Sequence, residues 1–294
     1  MTGQIAIGAL IGVAALILAP AAATAAPDAA VAPAALRVCA DPDNLPFSDD
    51  KGQGLENKVA EILAADLHQP IAYTWQSQRR GFLRRSLNAG TCDVVIGAPT
   101  GLAGLATTRP YYRSAYVFLS RQSLTPQPRS LDDPGLRTWR IGLHALGMEG
   151  ANTPAAQALA ARGIVDKIEG FPVWGDDEGG PTAGLSVAAL AKGDVDVASV
   201  WGPFAGYFGK KYAGQLSLTP ILADPCLPAM AFAYDIAVGV RTGDNALRSR
   251  RQEARDRNRP QIAQVLQDFA VPLVSATPQH APATGASACA SKSS

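Results

Sequence analysis

Histidine is the scarcest chemistry-bearing residue in this chain: three in 294, at His68, His144 and His280. Their spacing gathers no set of metal ligands, so a histidine metal centre is not expected. A Gly-x-Ser-x-Gly elbow and a Walker phosphate loop are both absent, and "GQGLEN" lacks the third glycine of a dinucleotide fingerprint. Charge of one sign is lacking too. The formal net charge is +1, which removes the electrostatic case for a nucleic-acid partner. Beyond residue 26 no run is apolar enough to span a bilayer, which takes about 20 residues. These absences point away from an enzyme and imply neither cofactor nor metal.

What is present begins with "MTGQIAIGALIGVAALILAPAAATAA", an apolar stretch closing on small residues. It reads as a secretory signal peptide over 1–26, cut near Ala26, with 27–35 as a linker. The run from Ile5 to Ala19 is short for a membrane anchor. A periplasmic location with no membrane span in the mature form follows. Four cysteines allow three full pairings. Cys39 and Cys92 stand in two segments that read as strands of one lobe, and a disulfide between them is expected. Cys226 precedes a proline-containing turn. Cys289 lies in a Ser/Ala/Pro/Thr-rich tail, 275–294, read as disordered. These two are expected as one buried and one loose thiol.

Along the chain, "LRVCA", "IAYTWQ" and "CDVVIGA" read as strands separated by helices "GLENKVAEILAADL" and "RRGFLRRSLNAG". In the first helix Leu55, Val59, Ile62, Leu63 and Leu67 recur at helical spacing, with Glu56, Asn57, Lys58, Glu61 and Asp66 assigned to the other side. The second is basic and stops at Gly90. The pattern restarts: strand "WRIGLHA", helix "TPAAQALAARGIV", a strand in "DKIEGFPVW", helix "GLSVAALAKG", strand "DVDVASVWG". Repeated βαβαβ order implies parallel sheets with crossover helices. "AYVFLSR" and "MAFAYDIAVGVR" are long enough to cross between two lobes, and the last helical stretch should break at Pro260. The expected fold is α/β and two-lobed, each lobe a mixed sheet flanked by helices, joined by two hinge strands. Lobe 1 takes 36–120 and 236–274, and lobe 2 takes 121–235. Loops at the carboxyl ends of the strands would line the cleft between them.

Six phrases, in this order and spacing, carry a family resemblance: "RVCADPDNLPFSDDKGQGLENKVAEILA", "QRRGFLR", "CDVVIG", "TTRPYYRSAYVF", "GANTPAAQALAARGIV" and "GDVDVASVWGPFAGYF". The chain resembles periplasmic solute-binding proteins, and within them the J proteins (MoxJ and XoxJ type) associated with quinoprotein methanol and alcohol dehydrogenases. The resemblance implies a periplasmic-binding-protein-like fold and an accessory role. The partner would be a dehydrogenase dependent on pyrroloquinoline quinone (PQQ), with its cytochrome system behind it. The protein would bind the enzyme or a peptide segment of it for maturation or activation. The alternative is the solute-binding protein of an ABC transporter, serving a permease with a small, partly apolar solute that is not an amino acid. A lyase-like enzyme on the same fold is a third reading.

Departures from amino-acid-binding relatives support that ordering. Those relatives carry an arginine after the apolar strand to grip the ligand carboxylate; here "APTGLAGLA" offers no basic residue before Arg109. They also carry an acid after the second-lobe strand; here Trp201, Gly202, Pro203 and Phe204 follow. A zwitterion entering such a cleft loses hydration without compensation. The candidate cleft residues are Asp41, Asn44, Asn57 and Arg80 as polar points, with Phe47, Tyr111, Tyr112, Trp201, Phe204 and Tyr207 as apolar ones. Each has a plainer alternative. Trp201, Phe204, Tyr207 and Phe208 also fit as packing aromatics, and Tyr111 and Tyr112 as lobe core. Arg79, Arg80, Arg84 and Arg85 are a solvated face or a docking patch. Asp176, Asp177 and Glu178 read as a solvated turn.

Overall fold

Two βαβαβ units supply most of the strands. The computed structural model describes Met1–Gly3, residues 34–145, 152–173, Thr182 and 184–275. The expected leader, linker and tail fall outside this range except at their margins, as do Asp176–Glu178, His280 and Cys289. The first unit opens with β1 (Leu36–Ala40), followed by a small hairpin of β2 (Asp43–Asn44) and β3 (Ser48–Asp49). Then come α1 (Leu55–Asp66), β4 (Ile71–Trp75), the single turn α2 (Phe82–Arg85) and β5 (Val94–Pro99). β1 pairs in parallel with both β4 and β5, which only crossover connections permit. β6 (Leu105–Thr107) and β7 (Tyr112–Arg121) lead out of it.

The second unit runs β8 (Ile141–Ala145), α3 (Pro154–Ala161), β9 (Ile168–Pro172), α4 (Leu185–Lys192) and β10 (Val197–Trp201). β8 lies in parallel between β9 and β10. α5 (Gly202–Gly209), β11 (Leu216–Ile221), β12 (Ala233–Arg241), α6 (Asn245–Arg257) and α7 (Arg259–Asp268) follow. The strand order is β4-β1-β5-β12-β7-β10-β8-β9, with β6 on β12 and β11 on β7. The two lobes are joined through β7 and β12. Tyr112–Ala115 of β7 pair with β12, and from Tyr116 onward the same strand pairs with β10 and β11.

Helix α1 shows where the periodicity was misleading. Leu55, Val59 and Leu63 are buried against the first sheet, as expected, but Glu56 and Asn57 are buried with them, at 6% and 0% exposure. Glu56 precedes Val59, Ala60 and Leu63 by three, four and seven residues, so it shares their face. Asn57 Oδ1 accepts hydrogen bonds from the backbone N–H groups of Asp49 and Gly54, both at 3.0 Å, and so closes the helix start. Gly54 must remain without a side chain there: a Cβ would fall 2.1 Å from the Phe47 carbonyl oxygen.

The expected basic helix through Gly90 is only the one turn α2. Gly81 enters it with φ of 83°, and Ser86 Oγ donates to the Phe82 carbonyl at 2.7 Å, competing with continuation of the ladder. The last helical stretch breaks at Asn258, two residues before Pro260, whose ring suits the first turn of α7. Both resulting helices lie against α1. Asp66 ties them down through Arg257 at 2.6 Å and Asn258 at 2.8 Å. Among the described residues no helix is long and apolar enough to cross a membrane.

Cys39 and Cys92 are bonded to each other, their Cα atoms 5.4 Å apart. Cys226 is also disulfide-bonded, which corrects the expectation of a buried thiol: it sits half-buried in a turn, within reach of oxidation. The Cys39–Cys92 bridge spans 53 residues, and restricting a loop of that length in the unfolded chain contributes about 4 kcal/mol. The double variant Cys39→Ala/Cys92→Ala should lose stability of that order in urea denaturation. An unchanged unfolding midpoint would refute the assignment of stability to this bridge.

Candidate binding cleft

The change of partners along β7 places a ring of aromatic side chains around one space. Tyr112 and Tyr116 stand four residues apart on one strand and share a face. Ile236 pairs opposite Tyr112 and Trp201 opposite Tyr116. With Tyr234 they line a cavity of about 460 Å³, within the usual range for small-ligand sites. Trp201 packs at 5.5 Å from Tyr116 and 5.7 Å from Tyr234, centroid to centroid. Across the space, the loop before α1 brings Phe47 edge-on to Phe204 of α5 at 5.2 Å. Phe204 meets the His144 ring at 4.9 Å on its other side.

Of the residues selected from sequence, Asn44, Phe47, Tyr112, Trp201 and Phe204 line this cavity. The others stand elsewhere. Asp41 lies behind the loop, accepting from the N–H of Asp43 at 3.0 Å and of Gln78 at 2.6 Å. It sets the loop's shape. Asn57 closes α1, and Arg80 is exposed. Tyr111 packs into the first core, its ring edge-on to Tyr112 at 5.1 Å. Tyr207 stacks on Phe269 at 5.5 Å, away from the space. Asn44 Nδ2 donates to Gln78 Oε1 at 2.7 Å, so these two lining amides are partly satisfied by each other.

Sequence reasoning passed over the two titratable groups that matter most here. Among the described residues Glu56 is the one carboxylic acid lining the cavity, and His144 is the one imidazole. Burial, reinforced by the Asp41 charge, pushes its carboxyl up to about 7. Its Oε1 occupies the place where a side chain on Gly97 of β5 would begin, 1.8 Å from that ideal Cβ. Helical spacing from Val59 was the signal that would have found it. His144 is buried at 5% exposure, its Nε2 3.2 Å from Ser186 Oγ, and burial pushes its pKa down to about 4. No positional signal in the sequence distinguishes His144 from a packing residue. Among the described residues no group of three or more His, Cys, Asp or Glu comes together as a metal site. Among the described residues no arginine or lysine lines the cavity to pair with a ligand carboxylate.

The two groups tilt stability in opposite directions. The folded state prefers Glu56 protonated, so this contribution is complete below pH 4.5 and is lost as pH rises through about 7. It prefers His144 neutral, so that contribution is complete above pH 6.5 and is lost as pH falls through about 4. Each amounts to about 3 kcal/mol. Glu56→Gln should therefore gain about 3 kcal/mol on the native protein at pH 8 and nothing at pH 4. His144→Phe should flatten the acid limb of the stability profile. Denaturant titrations at four or five pH values would read both, and parallel curves for native and variant chains would refute the assignments.

No family model matches the chain. It is 32% identical to the periplasmic binding protein XoxJ from Methylobacterium extorquens AM1, whose crystal structure superposes with a TM-score of 0.66 over 82% of this chain and 99% of that one. Protein MoxJ of Methylorubrum extorquens is 29% identical over 265 residues, covering 86% of this chain and 85% of the relative. The crystal structure of MxaJ from Methlophaga aminisulfidivorans MPT, 24% identical, has the same fold with a TM-score of 0.68 over 81% of this chain and 100% of that one.

Proposed function

Since the chain belongs to the family of MoxJ and XoxJ, periplasmic-binding-protein-like proteins, we propose that it is a periplasmic accessory protein of a PQQ-dependent methanol or alcohol dehydrogenase. In this reading the leader is removed near Ala26, and residues 36–120 with 236–274 form one lobe and 121–235 the other. The cleft between them receives an apolar segment of the dehydrogenase during maturation or activation, and the protein performs no catalysis of its own. One observation carries the proposal: aromatic and aliphatic side chains make up most of the cavity lining, and among the described residues no arginine or lysine joins them. That excludes the usual grip on an amino acid and suits an apolar guest. Arg80, Arg84 and Arg85 are exposed on or just before α2, whose Phe82 and Leu83 line the cavity, and they suit an acidic rim on the partner.

The cavity volume also favours a second reading. A space of about 460 Å³ is enough for a small solute, as in a transporter's binding protein. Purified dehydrogenase separates the two. Leu102 lines the cavity yet remains 44% exposed, so Leu102→Glu leaves the core untouched. It should weaken association with the dehydrogenase by about 2 kcal/mol, the scale of an interface hot spot. Trp201→Ala should cost as much or more, provided its circular dichroism matches the native chain. Arg84→Glu should act mainly on the association rate and its salt dependence. Folded Leu102→Glu and Trp201→Ala chains that bind and activate the enzyme normally would sink the cleft-receptor reading.

A further inference from the structure

Among the described residues four acidic side chains are buried: Asp41, Asp49, Glu56 and Asp224. Three of them are satisfied. Asp41 accepts from two backbone N–H groups, Asp49 accepts from Gln53 N at 2.6 Å, and Asp224 holds Arg162 in a two-pronged pair at 2.6 and 2.7 Å. Glu56 accepts no hydrogen bond from any described residue, although it is as deeply buried as Asp49. Its carboxyl faces the cavity. A buried carboxylate left bare is costly, and the cost is offset by taking up a proton or by a cation or donors brought to it. No described residue supplies either the cation or the donors.

The surroundings say what kind of group would. Tyr112, Tyr116, Trp201 and Tyr234 line the same space, and aromatic faces attract cations, most strongly when both are out of water. We infer that Glu56 and this aromatic ring form a binding site for a primary ammonium group carried on an apolar stem. The ammonium would donate to the Glu56 carboxylate while the stem lies among the rings. The source is either a free amine or the amino group of a peptide, and the chemistry of recognition is the same. The absence of a lining arginine or lysine among the described residues sets this apart from amino-acid recognition, because a ligand carboxylate would stay unpaired. The inference does not depend on the identity of the protein partner.

The titratable groups around Glu56 are Asp41, Tyr73, Tyr111 and Tyr112, with His144 also on the cavity wall. The three tyrosines are pushed above their ordinary range, chiefly by burial, and His144 stays neutral above about pH 4. Between pH 6 and 8 the change therefore belongs to Glu56.

Calorimetry on the purified chain, without any dehydrogenase, tests this with phenethylamine, its neutral analogue 2-phenylethanol and its anionic analogue 3-phenylpropionate. N-acetyl-lysine amide serves as the peptide-borne arm. At pH 8 at least one of the two amines should bind ten times more tightly than the alcohol, and the anion should bind weakest. Glu56→Gln should abolish the preference for the amine while leaving the alcohol's affinity in place, which also shows that the variant is folded. Lowering the pH from 8 to 6 should weaken amine binding about tenfold and leave the alcohol unaffected. Preference for phenethylamine assigns the site to free amines, and preference for the lysine derivative assigns it to a peptide. Binding of both amines no tighter than the alcohol, or a preference that survives Glu56→Gln, would overturn the inference.

Discussion

The architecture rests on the hydrogen-bonding demand of one strand. Every backbone N–H and C=O of β7 needs a partner, because most of its residues are buried. No single neighbour meets that demand along its ten residues. β12 serves the first four, and β10 and β11 serve the rest. At the exchange, between Ala115 and Tyr116, the two sheets diverge and a space opens. The same constraint that joins the lobes thus creates the cleft and decides which side chains line it.

The polar groups are distributed unequally across this frame. Away from the cleft, charge is paired closely. Asp93 accepts from Arg37 and Arg241 at the foot of the first sheet, and Asp256 gathers Arg109, Arg255 and Arg259 beside α6. These pairs fix strand ends and helices and leave little reactive charge. Among the described residues the cleft contains the opposite arrangement, one carboxylic acid and one imidazole, both held against their charged forms by burial. A wall of Phe47, Val173, Trp201 and Phe204 keeps the medium around them apolar. Such an interior costs some stability, because ionisable groups are held out of water there.

Much of this was legible from residues alone. The repeated βαβαβ order, the crossing strands, the break near Pro260 and the Cys39–Cys92 bridge all leave local marks in the sequence, in periodicity, punctuation and cysteine placement. β11 left none that was read, because Leu216–Ile221 is half-exposed and contains Pro220, which argues against a strand until an edge position is known. The cleft was read less completely. Phe47, Tyr112 and Trp201 were reachable through the ends of strands and loops. Glu56 was hidden by the usual assignment of acids to the wet side of a helix, and His144 by the tertiary arrangement that alone brings it against Ser186 and Phe204 on the cavity wall. Arg80 and Tyr207 show the converse: residue type and neighbourhood suggested a site, and side-chain direction led elsewhere.

Gly97 and Glu56 are separated by forty-one positions in the chain, yet they compete for one volume. A methyl group at position 97 would make the Glu56 carboxyl swing aside, whereas with the carboxyl removed the same methyl would meet no such obstacle. The absence of a side chain on one strand thus fixes where an acid on a helix points its oxygens, and the two positions act as one unit.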